Sequence, residues 1–306
     1  MSKELRIIFL GTPDFAVASL QKLAENNINV VAVVTAPDKP KGRGKKLGSS
    51  AVKDYALEIG LPILQPTNLK SVDFLEELKS YQADLQIVVA FRMLPEAVWR
   101  MPPLGTFNLH ASLLPQYRGA APINWAIING ERETGVTTFF LKHEIDTGEI
   151  IFREREAIMP KDTAGSLYAR LMEKGAHLVL KTVAAIQENE YPQSPQQTKG
   201  ILEKAPKIFK NDCKIYWNQA SGNIINFIRG LSPLPGAWSI IDEKMIKVFE
   251  AEETHLKLAS EIGVFVNQEN RLLVKTQDAV LKITDLQLEG KQRMRTEDFL
   301  KGYRVN

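Results

Sequence analysis

The first half of the chain alternates short apolar runs with stretches of helical spacing. Leu5 to Leu10 reads as a buried strand, Gly11-Thr12-Pro13-Asp14 as a turn, and Phe15 to Glu25 as a helix with an apolar stripe through Phe15, Ala18, Leu20 and Leu23. Val30 to Thr35 is a second strand, Ala51 to Ile59 a short helix, and Pro62 to Leu64 a short strand. Val72 to Tyr81 follows as a helix and Leu85 to Ala90 as another long strand. Later, Val136 to Leu141 and Glu149 to Arg153 read as strands and Ser166 to Ile186 as a helix. Apolar strands separated by helices predict a Rossmann-like α/β domain with a parallel sheet covered on both faces. Such sheets hold ligands beyond the carboxyl ends of their strands.

The pattern changes after about Gln187. Asn189 to Lys207 is polar, carries Pro192, Pro195 and Pro206, and has no sustained periodicity, which is the composition of a linker. Beyond it, Ala220 to Ile228 reads as a helix. Five short strands follow at 237–241, 245–249, 263–266, 272–276 and 279–286. Short strands bounded by turns predict a small OB-like β-barrel. The expected organisation is a domain over 1–188, a linker over 189–207 and a second domain over 208–306.

Composition narrows the classes little. A net charge of +3 over 306 residues does not announce a polyanion binder, so any such contact needs a local patch. The single cysteine, Cys213, excludes an internal disulfide and a cysteine-only metal cluster. Lys3, Glu4 and Arg6 interrupt any signal-like apolar region, and no run is long enough to span a bilayer, so a cytoplasmic protein is expected. Gly11-Thr12-Pro13-Asp14 lacks the later glycines of a dinucleotide fingerprint. Pro13 also removes a backbone donor, so Gly11 reads as a tight turn and nothing more.

The chemistry concentrates in Phe107-Asn108-Leu109-His110-Ala111-Ser112-Leu113-Leu114-Pro115-Gln116-Tyr117-Arg118-Gly119-Ala120-Ala121-Pro122. Strand alternation points Asn108 and His110 to one side. A carboxamide and an imidazole side by side can donate to a developing oxyanion, and a neutral imidazole can move a proton near pH 7. An isolated Asn-x-His more often satisfies nearby loop backbone. The downstream Ser112-Leu113-Leu114-Pro115 and Arg118-Gly119-Ala120-Ala121-Pro122 are too particular for that. Together they resemble the signature of the formyltransferases that use 10-formyltetrahydrofolate.

The resemblance covers nearly the whole chain and carries several implications. It makes Asn108, His110 and Asp146 the catalytic set, Asp146 lying in an Asp-Thr-Gly turn that by itself reads as structural. Asn108 donates to the oxyanion, and His110 holds it or relays protons. Asp146 orients His110 and holds a proton-carrying water. The folate donor is expected among Phe91, Arg92, Ser112, Leu113, Leu114, Pro115 and Asp146. Arg92 stands where the family usually has glycine, in a segment one residue shorter. No metal is expected: His143, His177 and His255 lack ligand spacing.

Residues 37–53 hold six basic side chains against one acidic. A charge run of this kind is usually a solvated face. However, Gly42 and Gly44 allow close backbone approach, and the segment leaves a strand on the ligand side of the sheet. The tRNA-acting branch of the family carries a basic insertion here that enters the acceptor stem. The resemblance therefore places Lys41, Arg43, Lys45 and Lys46 on initiator methionyl-tRNA, with neither a membrane nor a protein partner required. Lys207, Lys210, Lys244, Lys247, Lys291, Arg293 and Arg295 would form a second surface on the barrel. Trp217, Trp238, Phe227 and Leu231 read as core. The rivals are formyl transfer to a sugar-nucleotide amine, an inactive tRNA-binding module, and a nicotinamide oxidoreductase.

Overall fold

A computed structural model describes residues 4–41, 46–197 and 200–305. Along the chain the elements are β1 (Ile7–Gly11), α1 (Asp14–Glu25), β2 (Val30–Val34), β3 (Lys39–Lys41), β4 (Lys46–Gly48), α2 (Ala51–Glu58), β5 (Ile63–Leu64), α3 (Val72–Ser80), β6 (Leu85–Val89), α4 (Glu96–Trp99), β7 (Thr106–His110), β8 (Arg118–Gly119), α5 (Pro122–Ile128), β9 (Glu133–Phe140), β10 (Ile150–Ala157) and α6 (Ala164–Glu188). Then come β11 (Lys204–Ala205), α7 (Ser221–Gly230), β12 (Ala237–Ile241), β13 (Lys244–Thr254), β14 (Phe265–Gln268), β15 (Arg271–Lys275), β16 (Val280–Leu288), β17 (Met294–Arg295) and α8 (Thr296–Gly302). Two compact units emerge. One comprises Met1–Arg118, Gly135–Glu156 and Ala169–Glu203; the other comprises Gly119–Thr134, Ala157–Tyr168 and Lys204–Asn306.

In the first unit every residue of β1 and of β6 is buried, as expected of strands covered on both faces. They pair in parallel, Ile7 opposite Leu85 and Gly11 opposite Val89. The seven-stranded sheet runs β10-β9-β7-β6-β1-β2-β5. From β5 to β7 its strands are parallel. The sheet is the parallel sheet expected, with one edge where β9 runs antiparallel to β7. Direction is not written in an apolar run, and an antiparallel pairing needs no crossover helix to announce it. On one face Ile8, Leu10, Ala32, Val34 and Val88 pack with Phe74 and Leu78 of α3 and Val98 of α4. On the other face, a Cβ built on Gly175 of α6 would lie 2.7 Å from Leu109 Cδ2, so the leucine side chain packs directly on this glycine of α6. Gly11 has the same kind of role: its Cβ would meet Ala16 Cβ at 2.6 Å, which leaves the close packing of α1 on β1 as the reason for this glycine.

The basic segment contains a two-stranded ribbon where the sequence pattern predicts only a loop. Lys39–Lys41 pairs antiparallel with Lys46–Gly48. Three-residue strands with Pro40 in one arm show no alternation to read.

In the second unit the antiparallel sheet runs β12-β13-β16-β15-β14, with the two-residue β17 added on β16 to make a half-barrel. Its core joins Ile246, Val248, Leu272, Val274, Leu281 and Ile283 of the sheet to Ile224 and Ile228 of α7. Trp217 and Leu231 are buried in it, and Phe227 and Trp238 pack against it. Helix α5 belongs to this unit, where Asn124 Nδ2 donates to the carbonyl of Gly230 at 2.8 Å. Arg229 likewise donates to the carbonyl of Asp162 at 3.0 Å.

Candidate active site

The site begins at the carboxyl end of β7. Asn108 lies opposite Val88 of β6 and Phe139 of β9, and His110 opposite Thr137. Leu109 turns toward α6, so alternation puts Asn108 and His110 together on the other face. Asn108 is half-buried, and its carboxamide has no hydrogen-bond partner among the described residues. His110 is 6% exposed, and its Nε2 lies 2.9 Å from the carbonyl oxygen of Tyr117. A carbonyl only accepts, so Nε2 carries the proton. In the neutral ring Nδ1 is then a bare lone pair. It faces Asp146 Oδ2 at 3.9 Å. That distance exceeds a hydrogen bond. The group that fixes the ring is thus the Tyr117 carbonyl, with Asp146 standing across the gap.

The loop that supplies this carbonyl is tied from inside. Thr137 Oγ1 donates to the Ser112 carbonyl at 2.7 Å and accepts from the Leu114 amide at 3.2 Å. Ser112 Oγ donates to the Gln116 carbonyl at 2.6 Å. The Leu114-Pro115 peptide is cis, and Tyr117 has φ 59°. Leu114 is buried with Phe139 and Ile150. Ser112 and Leu114 therefore turn their side chains inward, and what they can offer a ligand is backbone. Leu113 and Pro115 are half-buried beside them.

Asp146 sits at φ 55° in the turn between β9 and β10. The turn is tight because Gly148 lies against β9: a Cβ there would come 1.5 Å from the Phe140 carbonyl oxygen. A glutamine outside the motif secures it. Gln196 Nε2 donates to the carbonyls of Asp146 at 2.8 Å and Gly148 at 2.9 Å. Sequence reasoning passed over Gln196 as part of a polar linker. Beyond β6 the chain turns at Ala90, φ 48°. Arg92 lies over the Phe91 ring at 5.7 Å and donates to the carbonyls of Pro66 and Thr67. Partial burial draws its pKa down, though a guanidinium stays charged at any physiological pH. A groove of ≈ 450 Å³ opens beside Arg92, Met93, Asn68 and Lys70.

A carboxamide donor, a ring with a free basic nitrogen and a carboxylate, gathered at the end of a parallel sheet, form a set that can stabilise an oxyanion and move a proton. A sequence model described as formyl transferase matches residues 5–183, and one for the formyl transferase C-terminal domain matches residues 207–304. The chain belongs to the formyl transferase family.

Its relatives include the methionyl-tRNA formyltransferase of Bacteroides fragilis, 51% identical over 315 residues, covering 100% of this chain and 97% of that one. The methionyl-tRNA formyltransferase of Flavobacterium johnsoniae is 50% identical over 98% of this chain and 96% of its own. Among solved structures, the sugar 3N-formyl transferase WlaRD, in the presence of dTDP and 5-N-formyl-THF, superposes with a TM-score of 0.67 at 23% identity, covering 95% of this chain and 100% of that one. HypX from Aquifex aeolicus in complex with tetrahydrofolic acid gives 0.68 at 19% identity; the match covers 99% of this chain and about half (49%) of HypX. At these identities the two structures show a shared fold.

The remaining basic residues of this formyltransferase fall into three groups. Arg43 and Lys45 lie outside the described residues, and Lys41 and Lys46 contribute backbone to the β3–β4 ribbon. Lys207 stands 5.3 Å over the Phe209 ring, and Lys291 is exposed. Arg293 is engaged within the protein: its guanidinium forks onto Asp285 at 2.9 and 2.9 Å and lies 4.2 Å over Phe249. Arg295 pairs with Glu250 at 2.6 Å, and this hydrogen bond raises its pKa. Lys247 donates to the Pro235 carbonyl at 2.8 Å. His143, His177 and His255 are exposed. Among the described residues of the formyltransferase, no group of three or more His, Cys, Asp or Glu could hold a metal ion, and no helix is long and apolar enough to cross a membrane.

Proposed function

We propose that this formyltransferase moves the formyl group of 10-formyltetrahydrofolate onto the amino group of initiator methionyl-tRNA, a cytoplasmic step that prepares translation initiation. The observation that carries the mechanism is the His110 ring, held with its proton on Nε2 and its lone pair toward Asp146. Full-length relatives named methionyl-tRNA formyltransferase, at about half identity, support the acceptor. The tetrahydrofolate named with HypX supports the donor class.

In this reading Asn108 donates to the formyl oxygen as the amine attacks and the carbon becomes tetrahedral. The new N–C bond forms as the bond to the folate nitrogen breaks, and one proton passes from the attacking amine to that departing nitrogen. His110 Nδ1 and Asp146 bracket its path. Which of the two takes it follows from which is better aligned in the ternary complex. Residues Phe91 and Arg92, the backbone of Ser112–Pro115, and the Asp146 turn hold the donor. The basic segment with Lys41, Arg43, Lys45 and Lys46 takes the acceptor stem. Residues 1–188 act as the catalytic part, joined through 189–207 to a second tRNA surface over 208–306. On that surface Lys207 and Lys291 contribute charge more directly than the internally paired Arg293.

Formyl transfer is measured with charged initiator tRNA, with uncharged tRNA, and with an amino-sugar nucleotide. Rapid modification of the charged tRNA alone is expected. Transfer to the amino sugar instead overturns the acceptor assignment while keeping the chemistry. Replacing Lys41, Arg43, Lys45 and Lys46 by alanine raises KM for the tRNA and flattens its salt dependence. Each lost phosphate contact removes roughly 0.7–0.9 from the log–log slope. An unchanged slope in a titration from low to high salt shows the ribbon to be a solvated charge run.

A further inference from the structure

Gln116 stands in the motif loop, one residue before Tyr117. Its side-chain amide reaches chain that is distant in sequence. Oε1 accepts from the Glu203 backbone N–H at 2.8 Å, and Nε2 donates to the Ile201 carbonyl at 3.1 Å. A backbone N–H only donates and a carbonyl only accepts, so chemistry fixes the orientation of this amide. The next residue completes the clamp, because the Tyr117 N–H donates to the Glu203 carbonyl at 2.7 Å. Both backbone groups of Glu203 thus end on Gln116 and Tyr117. Side-chain burial contributes little here: Ile201 is 84% exposed, Glu203 is exposed, and Leu202 between them is half-buried.

The clamp matters because of what lies on the other side of Tyr117. The Tyr117 carbonyl accepts from His110 Nε2 at 2.9 Å and so decides which ring nitrogen carries the proton. Tyr117 itself stands at φ 59°, a region that a bulky L-residue keeps only where its surroundings hold it. On one side those surroundings include residues 201–203. On the other they include the His110 ring and the Ser112 hydroxyl, which donates to the Gln116 carbonyl at 2.6 Å. We infer that Gln116 is a positioning residue for His110. It locks residues 201–203 against the loop, and they hold the Tyr117 carbonyl where it keeps the His110 proton on Nε2 and the Nδ1 lone pair toward Asp146. The segment that reads in sequence as a plain connection is then part of the frame of the site. The inference rests on the proposed role of His110.

The test uses the full-length enzyme. Gln116→Met keeps the side chain's length and removes both hydrogen bonds. It is expected to lower kcat by roughly 10- to 100-fold, the effect of an ångström-scale misplacement. Equilibrium affinity for methionyl-tRNA should stay within about twofold, because no cation is removed. The tautomer of His110 is the readout that a merely structural role would not move. Nitrogen NMR of the neutral ring should show the Nε2–H form in the native enzyme and a mixture of both tautomers in Gln116→Met. In a His110→Gln background the substitution should add less than about a twofold loss of kcat, since the ring it positions has already gone. An unchanged tautomer or a native kcat in Gln116→Met, or a full multiplicative loss in the double variant, overturns the inference alone. An unimpaired His110→Gln enzyme overturns the underlying reading of the site and this inference with it. If Gln116→Met is unstable in thermal melts, Gln116→Glu carries the same measurements. It keeps the acceptor for the Glu203 N–H and loses the donor to Ile201, so the same changes are expected at smaller size.

Discussion

Asn108→Ala lowers the turnover of formyl transfer by roughly 100- to 1000-fold and leaves affinity for methionyl-tRNA nearly unchanged. The expected size follows from what the side chain can do. A carboxamide aimed at a carbon that becomes tetrahedral gains most when the negative charge appears, so its loss falls on kcat. Little structural penalty accompanies it. Asn108 is flanked by backbone pairing to Val88 and Phe139, which the substitution preserves, and its carboxamide bonds no described residue. Asn108→Asp makes the sharper comparison, because a carboxylate of the same shape has no donor and repels an oxyanion. Turnover should fall at least as far, with the melting temperature close to that of the native enzyme. The measurement is kcat and KM for both substrates, beside tRNA binding at equilibrium. If binding falls in parallel with turnover, Asn108 supports the fold and contributes nothing selective to the transition state.

What could be read from sequence divides along a physical line. Buried strands such as β1 and β6 announce themselves, because a strand covered on both faces must be apolar throughout. The pairing of Asn108 with His110 is equally local, since a period of two decides it. Asp146 is different. It is brought opposite His110 by the reversed strand β9, whose direction no composition records. Arg293 looked like a free cation in Lys291-Gln292-Arg293-Met294-Arg295, but the pairing of β16 with β17 puts it against Asp285 and Phe249. Gln196 gave no signal: a lone glutamine among prolines acquires meaning only when Arg118 and two carbonyls converge on it. The compact units show the same limit. Helix α5 lies in the first half of the sequence, well before the polar 189–207 segment, yet belongs to the second unit, and a linear reading draws boundaries only where composition changes.

His110→Ala removes the proton-handling ring and is expected to lower turnover by roughly 100- to 10,000-fold. Alanine alone does not establish why. The ring also donates to the Tyr117 carbonyl at 2.9 Å and so helps hold a loop whose Tyr117 stands at φ 59°. His110→Gln separates the two roles. A glutamine amide can donate to the same carbonyl, while its remaining polar atoms offer neither a titrating lone pair nor the imidazole's basicity. If His110 acts through Nδ1, the glutamine variant melts near the native temperature and turns over as slowly as the alanine variant. If His110 only fastens the loop, glutamine restores most of the activity. The geometry favours the first outcome. A ring needed only for the Tyr117 bond has no reason to place its other nitrogen 3.9 Å from a carboxylate that is 11% exposed, held on a backbone turn at φ 55°. An attacking amine, or a water that serves it, placed within reach of both groups can donate to Nδ1 and to the carboxylate.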